Sequence, residues 1–204
     1  NWTKDVAATF NPNGRAVRFN GSADQTISGE TTFSYLTVNK SGNLLLANNV
    51  TVNNTLTLNS GKLVLGNYDL TINDGADYSL SAGSATSYIV TNGTGMFKRL
   101  VGFAYTGTDF DFPVGSATNR QLAKLNFNTL SSSNTVSARF ITGSPVGTAG
   151  LPLSESGNSI ERAANNGYWE ITNSAVTSDL YTGTFYANGF TDITDYTKVH
   201  LIKR

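Results

Sequence analysis

Cysteine is absent from this 204-residue sequence, and histidine and methionine occur once each. Without thiols, neither disulfide bonds nor thiolate chemistry is open to the chain. One imidazole without a thiol also falls short of the donors a zinc site needs. Charge is sparse: 14 Lys and Arg are matched by 14 Asp and Glu. Nucleic acid and anionic membranes call for a concentrated basic surface, which this balance does not supply. No apolar run approaches the roughly 18 residues of a membrane-spanning helix. The sequence opens at Asn1-Trp2 with neither an initiator Met nor a signal peptide, so a processed product or a fragment of a longer protein is expected.

What is present points to strands. There are 20 Gly, 11 Phe and 9 Tyr against 4 Pro, a β-rich composition. Between residues 36 and 72 the sequence repeats a three-residue bracket of apolar-x-apolar: Leu36-Thr37-Val38, Leu44-Leu45-Leu46, Val50-Thr51-Val52, Leu56-Thr57-Leu58, Leu63-Val64-Leu65 and Leu70-Thr71-Ile72. In a strand, residues i and i+2 share a face, so each bracket sends two side chains inward and one outward. Every third bracket returns after 19 or 20 residues, as from Leu36 to Leu56, Leu44 to Leu63 and Val50 to Leu70. A meander has no need of that triple period, whereas a coil with three flat sides does.

The expected fold is therefore all-β, a short right-handed three-sided parallel β-solenoid with an N-terminal cap over residues 1–100. Val17-Arg18-Phe19, Gln25-Thr26-Ile27 and Thr31-Thr32-Phe33 place one turn before Leu36. Tyr78-Ser79-Leu80 is expected over Leu56, and Tyr88-Ile89-Val90 over Leu70, for about four coils in all. Corners rich in Asn and Gly suit sharp bends, because both tolerate left-handed backbone and Asn bonds to backbone groups. Outward positions on the first and third faces are mostly polar. The second face carries Thr26, Leu45 and Val64, which makes it the expected covered or contact face.

Beyond residue 100 the period is lost and the strand-like runs lengthen: 110–112, 122–127, 136–141, 168–171, 184–187 and 198–202. Their alternation predicts an antiparallel β-sandwich over residues 101–204, capping one end of the coil. Trp2 and Phe10 are expected to begin the cap at the other end.

The stretches GRAVRFNGSADQTISGETTFSYLTVN, NVTVNNTLTLNSGKLVLGNYDLTI, SYIVTNGTGMFKRLV and FDFPVGSA, with NGYWEITNS, GTFYANGF and TDYTKVHLIKR after them, resemble modules of long Bacteroidetes surface proteins exported by the type IX secretion system. The resemblance implies a secreted, cell-surface protein of adhesive character in which a β-sandwich follows the solenoid. It also implies partners among other surface-protein domains or extracellular glycans. The family's separate C-terminal sorting domain has no counterpart before Arg204.

The residues themselves offer little catalytic chemistry. His200 lies in a predicted strand, with no nucleophile-elbow motif in the sequence. Carboxylate pairs suited to polysaccharide chemistry or to calcium are Asp74 with Asp77, Asp109 with Asp111, and Asp192 with Asp195. The first and last of these are the candidate calcium ligands. Tyr105, Tyr168, Trp169 and Tyr181 are available for sugar contact, although Trp169 in a strand reads as core. Tyr105 and Tyr181, with Leu45 and Val64 on the second face, are the candidate binding residues. The expected function is a non-catalytic structural and adhesive module, a stiff spacer and contact surface. The alternative is a carbohydrate-binding or polysaccharide-degrading domain, and self-association through the second face or an exposed sandwich edge, giving fibres or a sheath, is a third possibility.

Overall fold

The computed structural model describes residues 1–81, 83–145, 150–155, 157–174, 180–195, 197 and 199–201. The apolar brackets form the strands. They run β1 (Trp2–Thr3), β2 (Ala16–Gly21), β3 (Gln25–Ser28), β4 (Thr31–Phe33), β5 (Tyr35–Lys40), β6 (Leu44–Leu46), β7 (Val50–Val52), β8 (Leu56–Ser60), β9 (Leu63–Val64), β10 (Leu70–Ile72), β11 (Leu80–Ser81), β12 (Ile89–Val90) and β13 (Phe97–Val101). The second half adds β14 (Asp109–Gly115), β15 (Arg120–Phe127), β16 (Asn134–Thr142), β17 (Leu153–Glu155), β18 (Asn158–Ile160), β19 (Gly167–Asn173) and β20 (Tyr181–Phe185).

Three walls of stacked parallel strands make the coil. The first wall is β2-β5-β8-β11, the second includes β3-β6-β9-β12, and the third includes β4-β7-β10-β13. Leu36 pairs with Val17 and Leu56, Leu44 with Gln25 and Leu63, and Val50 with Thr31 and Leu70, all in parallel. The bracket spacing thus predicts the register correctly. Leu36, Val38, Leu44, Val52, Leu56, Leu63, Leu65, Leu70 and Ile72 are all fully buried. Each such side chain contributes about 1.5–3 kcal/mol of apolar burial, which makes the columns the main stabilising feature of the coil.

The corners hold neighbouring coils together. Asn48 Oδ1 accepts from Gly29 N at 2.7 Å, and Asn49 Oδ1 accepts from Asp69 N at 2.9 Å, each reaching one coil away. At the N-terminal end the Trp2 ring packs on Phe10 at 4.7 Å and on Phe33 at 5.3 Å, edge to face, covering the first coil.

The fourth turn departs from the expected register. Leu80, not Tyr78, sits beside Leu56, while Tyr78 lies in a 3-10 turn at Asp77–Ser79 with 69% of its surface exposed. Ile89 stacks on Leu63 in the second wall, and Phe97 takes the place over Leu70 in the third. The cause is corner length. Ser81 and Ile89 bracket a longer connection than the one joining β8 to β9, and Gly83 turns it at φ +68 against Ser87. Ser79 and Ile89, expected outward, are both fully buried.

Past residue 100 the antiparallel strands join the edges of existing walls. The second wall continues through β14, parallel to β12, to β15 and β20, giving eight strands in order β1-β3-β6-β9-β12-β14-β15-β20. The third wall continues through β16 and β19 to six strands. Aromatic rings fill the space between these extensions: Phe97 with Phe112 at 5.8 Å, Phe110 with Phe127 at 6.5 Å, and Trp169 with Phe140 and Phe185 at 5.3 and 5.1 Å. Trp169 Nε1 donates to Gln121 O at 3.0 Å, tying one extension to the other. The run predicted at 184–187 is displaced to Tyr181–Phe185. Of the run predicted at 198–202, Lys198 and Ile202 lie outside the described residues, and Val199, His200 and Leu201 lie outside any strand.

Candidate functional site

The widened fourth turn creates a corner whose residues the sequence scatters between Asp74 and Asp111. Arg99 anchors it. Its position on β13 pairs with Ile72, so the side chain enters the core, where it is fully buried. The guanidinium donates to Asp111 O at 3.1 Å, to Ala76 O at 3.1 Å, and to Asp77 O, with the Phe110 ring 4.9 Å away. Burial lowers its pKa to about 10, an effect partly offset by the charges of Asp111, Asp77 and Asp74.

Around this anchor the loop is fixed locally. Asp74 Oδ1 accepts from Ala76 N at 2.9 Å, Asp77 Oδ1 accepts from Tyr78 N at 2.8 Å, and Ser79 Oγ donates to Ala76 O at 2.7 Å. Gly75 and Gly102 then allow two corners to touch. Gly102 N donates to Gly75 O at 2.9 Å, and a Cβ on Gly75 would lie 2.9 Å from Gly102 Cα. This approach brings Tyr105, in a second 3-10 turn at Phe103–Tyr105, against Tyr78: the rings are 6.0 Å apart and near-perpendicular. The Tyr105 hydroxyl is raised in pKa by its hydrogen bond with Tyr78, with burial and the charges of Asp74 and Asp77 acting in the same direction. Phe103 is also 59% exposed. Candidate residues from separate readings, Asp74, Asp77 and Tyr105, therefore converge on one exposed aromatic corner beside two carboxylates.

The remaining candidates stay apart from it. Tyr181 packs on Phe127 at 6.2 Å and is 46% exposed. Leu45 and Val64 are register partners on the outside of the second wall, both half-buried. The antiparallel strands join that wall at its β14 edge. Asp109 and Asp111 flank Lys124 at 3.7 and 3.2 Å, so one ammonium serves both carboxylates. Burial works to lower the Lys124 pKa, but the hydrogen bond and charge of Asp111 outweigh it and the value is raised.

Asp192 and Asp195 serve their own loops. Asp192 Oδ2 accepts from Asn165 N at 2.7 Å and from Arg162 Nη1 at 3.2 Å, while Asp195 Oδ1 accepts from Thr197 Oγ1 at 2.6 Å. No group of three or more His, Asp or Glu side chains able to hold a metal occurs among the described residues. Trp169 and Tyr168 lie on β19, Trp169 packed against the core as expected.

Two features escape sequence reasoning. Lys40, at an inward position of β5, is 1% exposed and donates to Gln25 Oε1 at 2.7 Å and Ala23 O at 2.8 Å, plugging the corner between the first two walls. A cleft of about 460 Å³ opens beside residues 116–119, 166 and 188–190. Its lining comes from five segments far apart in sequence, so only the fold reveals it. Compared with known proteins, the chain matches no family model, no curated protein and no solved structure.

Proposed function

We propose that this chain is a non-catalytic structural and adhesive module of a secreted bacterial surface protein, serving as a stiff spacer and a contact surface. In this reading the coil winds right-handed and the antiparallel strands act as a sandwich that caps it. One observation carries the proposal: the second wall runs unbroken from β1 to β20. At about 4.8 Å per strand, eight strands make a ladder roughly 34 Å long. Each coil is bound to the next by three backbone ladders at once, and apolar columns lie behind them, so extension must break several ladders together. The resemblance to type IX-secreted modules supports the same reading, with a location outside the cell as part of the proposal.

Single-molecule pulling between the two termini tests it. One cooperative rupture of the whole coil is expected. Stepwise lengthening by about 70 Å, the reach of one 20-residue coil at about 3.5 Å per residue, means that coils peel singly and removes the spacer reading.

A second reading, carbohydrate binding, is favoured by the Tyr78–Tyr105 pair beside Asp74 and Asp77. The exposed Tyr78 ring, with the half-buried Tyr105 edge to face against it and hydrogen-bond acceptors alongside, suits the apolar face and hydroxyls of a sugar ring. Loss of glycan-array signal on Tyr105→Ala is the expected result, and signal unchanged by that substitution removes the corner from consideration.

A further inference from the structure

Exposed aromatic surface and uncompensated negative charge meet at one place, the widened corner. Tyr78 is 69% exposed, Tyr105 is half-buried, and their ring planes stand at 83°. The two side chains share a hydrogen bond, so their hydroxyl ends meet. Rings joined in this way and set at right angles bound a quadrant, and a group seated in it touches both faces. A ring face carries partial negative charge, so the seat favours a cation or the electropositive C–H groups of a sugar.

The charge around the quadrant has the same sign. Asp74 and Asp77 are half-buried in the loop that carries Tyr78, close enough that their charge helps hold the proton on the Tyr105 hydroxyl. Among the described residues no side-chain cation lies within ion-pair distance of either carboxylate. Arg99, buried behind the loop, acts on both, which leaves one negative charge in excess. Each carboxylate fastens the loop through Oδ1, to Ala76 N and to Tyr78 N, and its Oδ2 remains free to accept from a ligand.

The corner is also one member of a row. The turns from the third wall to the first stack coil upon coil, and Tyr35 stands in that row two coils before Tyr78, about 10 Å away along the axis. It is 40% exposed. A second ring at that distance suits a chain of sugar units better than a lone ammonium ion.

We propose that this corner binds an ammonium-bearing saccharide, an oligosaccharide of unacetylated hexosamine. One unit lies against Tyr78 and Tyr105 with its ammonium group toward Asp74 and Asp77, and the chain runs along the axis toward Tyr35. The proposal rests on the carbohydrate-binding reading and names the substrate class of that site. A uronate chain would meet like charge there, and a neutral chain would leave the excess charge unused.

Isothermal titration of the full chain tests it, with glucosamine trimer, its N-acetylated counterpart and galacturonate trimer as probes. Glucosamine trimer is expected to bind about three- to tenfold more tightly than the acetylated trimer, and galacturonate trimer most weakly. The margin should shrink in about 0.5 M salt. Replacing both carboxylates, Asp74→Asn with Asp77→Asn, keeps the two Oδ1 acceptors and should abolish the margin while leaving the acetylated trimer unchanged. Tyr105→Ala should weaken every probe at least tenfold, and circular dichroism confirms that each variant is folded. Tighter binding of the acetylated or galacturonate trimer, lost in Tyr105→Ala, overturns the ammonium class and preserves the carbohydrate reading. Binding of glucosamine trimer that survives both Tyr105→Ala and the paired Asn variant overturns the corner as its site. No binding of any probe at about 10 mM overturns both the class and the reading it rests on.

Discussion

The guanidinium carbon of Arg99 lies 4.9 Å from the centre of the Phe110 ring, in a column of the third wall where Val52 and Ile72 stand on the preceding coils. A cation thus replaces an aliphatic side chain at the point where the coil widens. Longer corners leave carbonyls facing inward with no next coil to bond them, and Arg99 supplies donors to three, those of Ala76, Asp77 and Asp111. The same substitution that closes the core also positions the loop carrying Asp74, Asp77 and Tyr78.

Removing that donor set should be costly. Arg99→Ala leaves buried carbonyls unpaired, at about 1–3 kcal/mol each, so a loss of about 3 kcal/mol or more is expected in urea unfolding. Arg99→Met restores apolar volume and should recover only part of it. The pH dependence has a definite sign. The folded-state pKa of about 10 lies below the ordinary arginine value of 12.5, so between them the unfolded chain binds more protons. Wild type should therefore gain stability relative to Arg99→Met as pH rises through about 10, with the difference flat below about pH 9. A difference that stays flat to pH 11 shows that the buried guanidinium is not penalised.

Gly61 tests the packing at the opposite corner. Its φ is +77, and a Cβ would lie 2.5 Å from Gly42 O and 2.7 Å from Lys40 O, directly over the buried lysine. Gly61→Ala imposes both left-handed strain and a backbone clash, for an expected loss of about 2 kcal/mol or more by thermal or chemical denaturation. Gly66→Ala is the control, because its φ is +58 but nothing lies within 4 Å, so the strain acts alone.

The coil was legible because its signal is local and repeated. The bracket around Leu44 sets the inward direction, and its return at Leu63 sets the register, so three walls follow from spacing alone. That logic failed at Tyr78 and Tyr88, where corner lengths change and the period gives no warning. Arg99 and Lys40 were illegible for another reason: both charged residues occupy inward positions, and their burial depends on carbonyls supplied by distant turns. The antiparallel strands were readable as strands, as in residues 122–127 and 136–141, but their attachment to existing walls is a long-range pairing that alternation does not encode. The cleft shows the same limit, since Asn119, Asn166 and Asn188 meet only through pairing in the second and third walls and the loops that leave them.

Leu44 and Leu45 are adjacent in sequence but sit on opposite sides of the second wall, the first fully buried and the second half-exposed. Leu44→Ala should cost about 2–5 kcal/mol because it opens a cavity in the coil. Leu45→Thr should cost less than about 1 kcal/mol, as a surface change that introduces a β-branched side chain suited to a strand. Chemical denaturation of the two variants reads the difference. Equal losses require another surface to cover Leu45, and would move the second face from contact surface to interior.

Asp192 separates a calcium ligand from a structural anchor. Its carboxylate already accepts from Asn165 N and Arg162 Nη1, while Arg162 also donates to Asp192 O at 2.7 Å. The Arg162 side chain is 63% exposed and that of Asp192 only 12%, so the ion pair itself is worth little and the sheltered backbone hydrogen bond matters more. Arg162→Ala should therefore shift stability by no more than about 0.5 kcal/mol. Asp192→Ala leaves Asn165 N without its acceptor and should cost about 1–3 kcal/mol. Because Oδ2 is engaged in this way and Oδ1, though without a hydrogen-bond partner, is withdrawn from solvent, adding calcium or a chelator should leave the melting temperature of wild type within about 1 °C, far below the linkage expected at saturation. A calcium-dependent rise that Asp192→Ala abolishes would show that the metal competes successfully with Arg162, and the anchor account of this loop would fail.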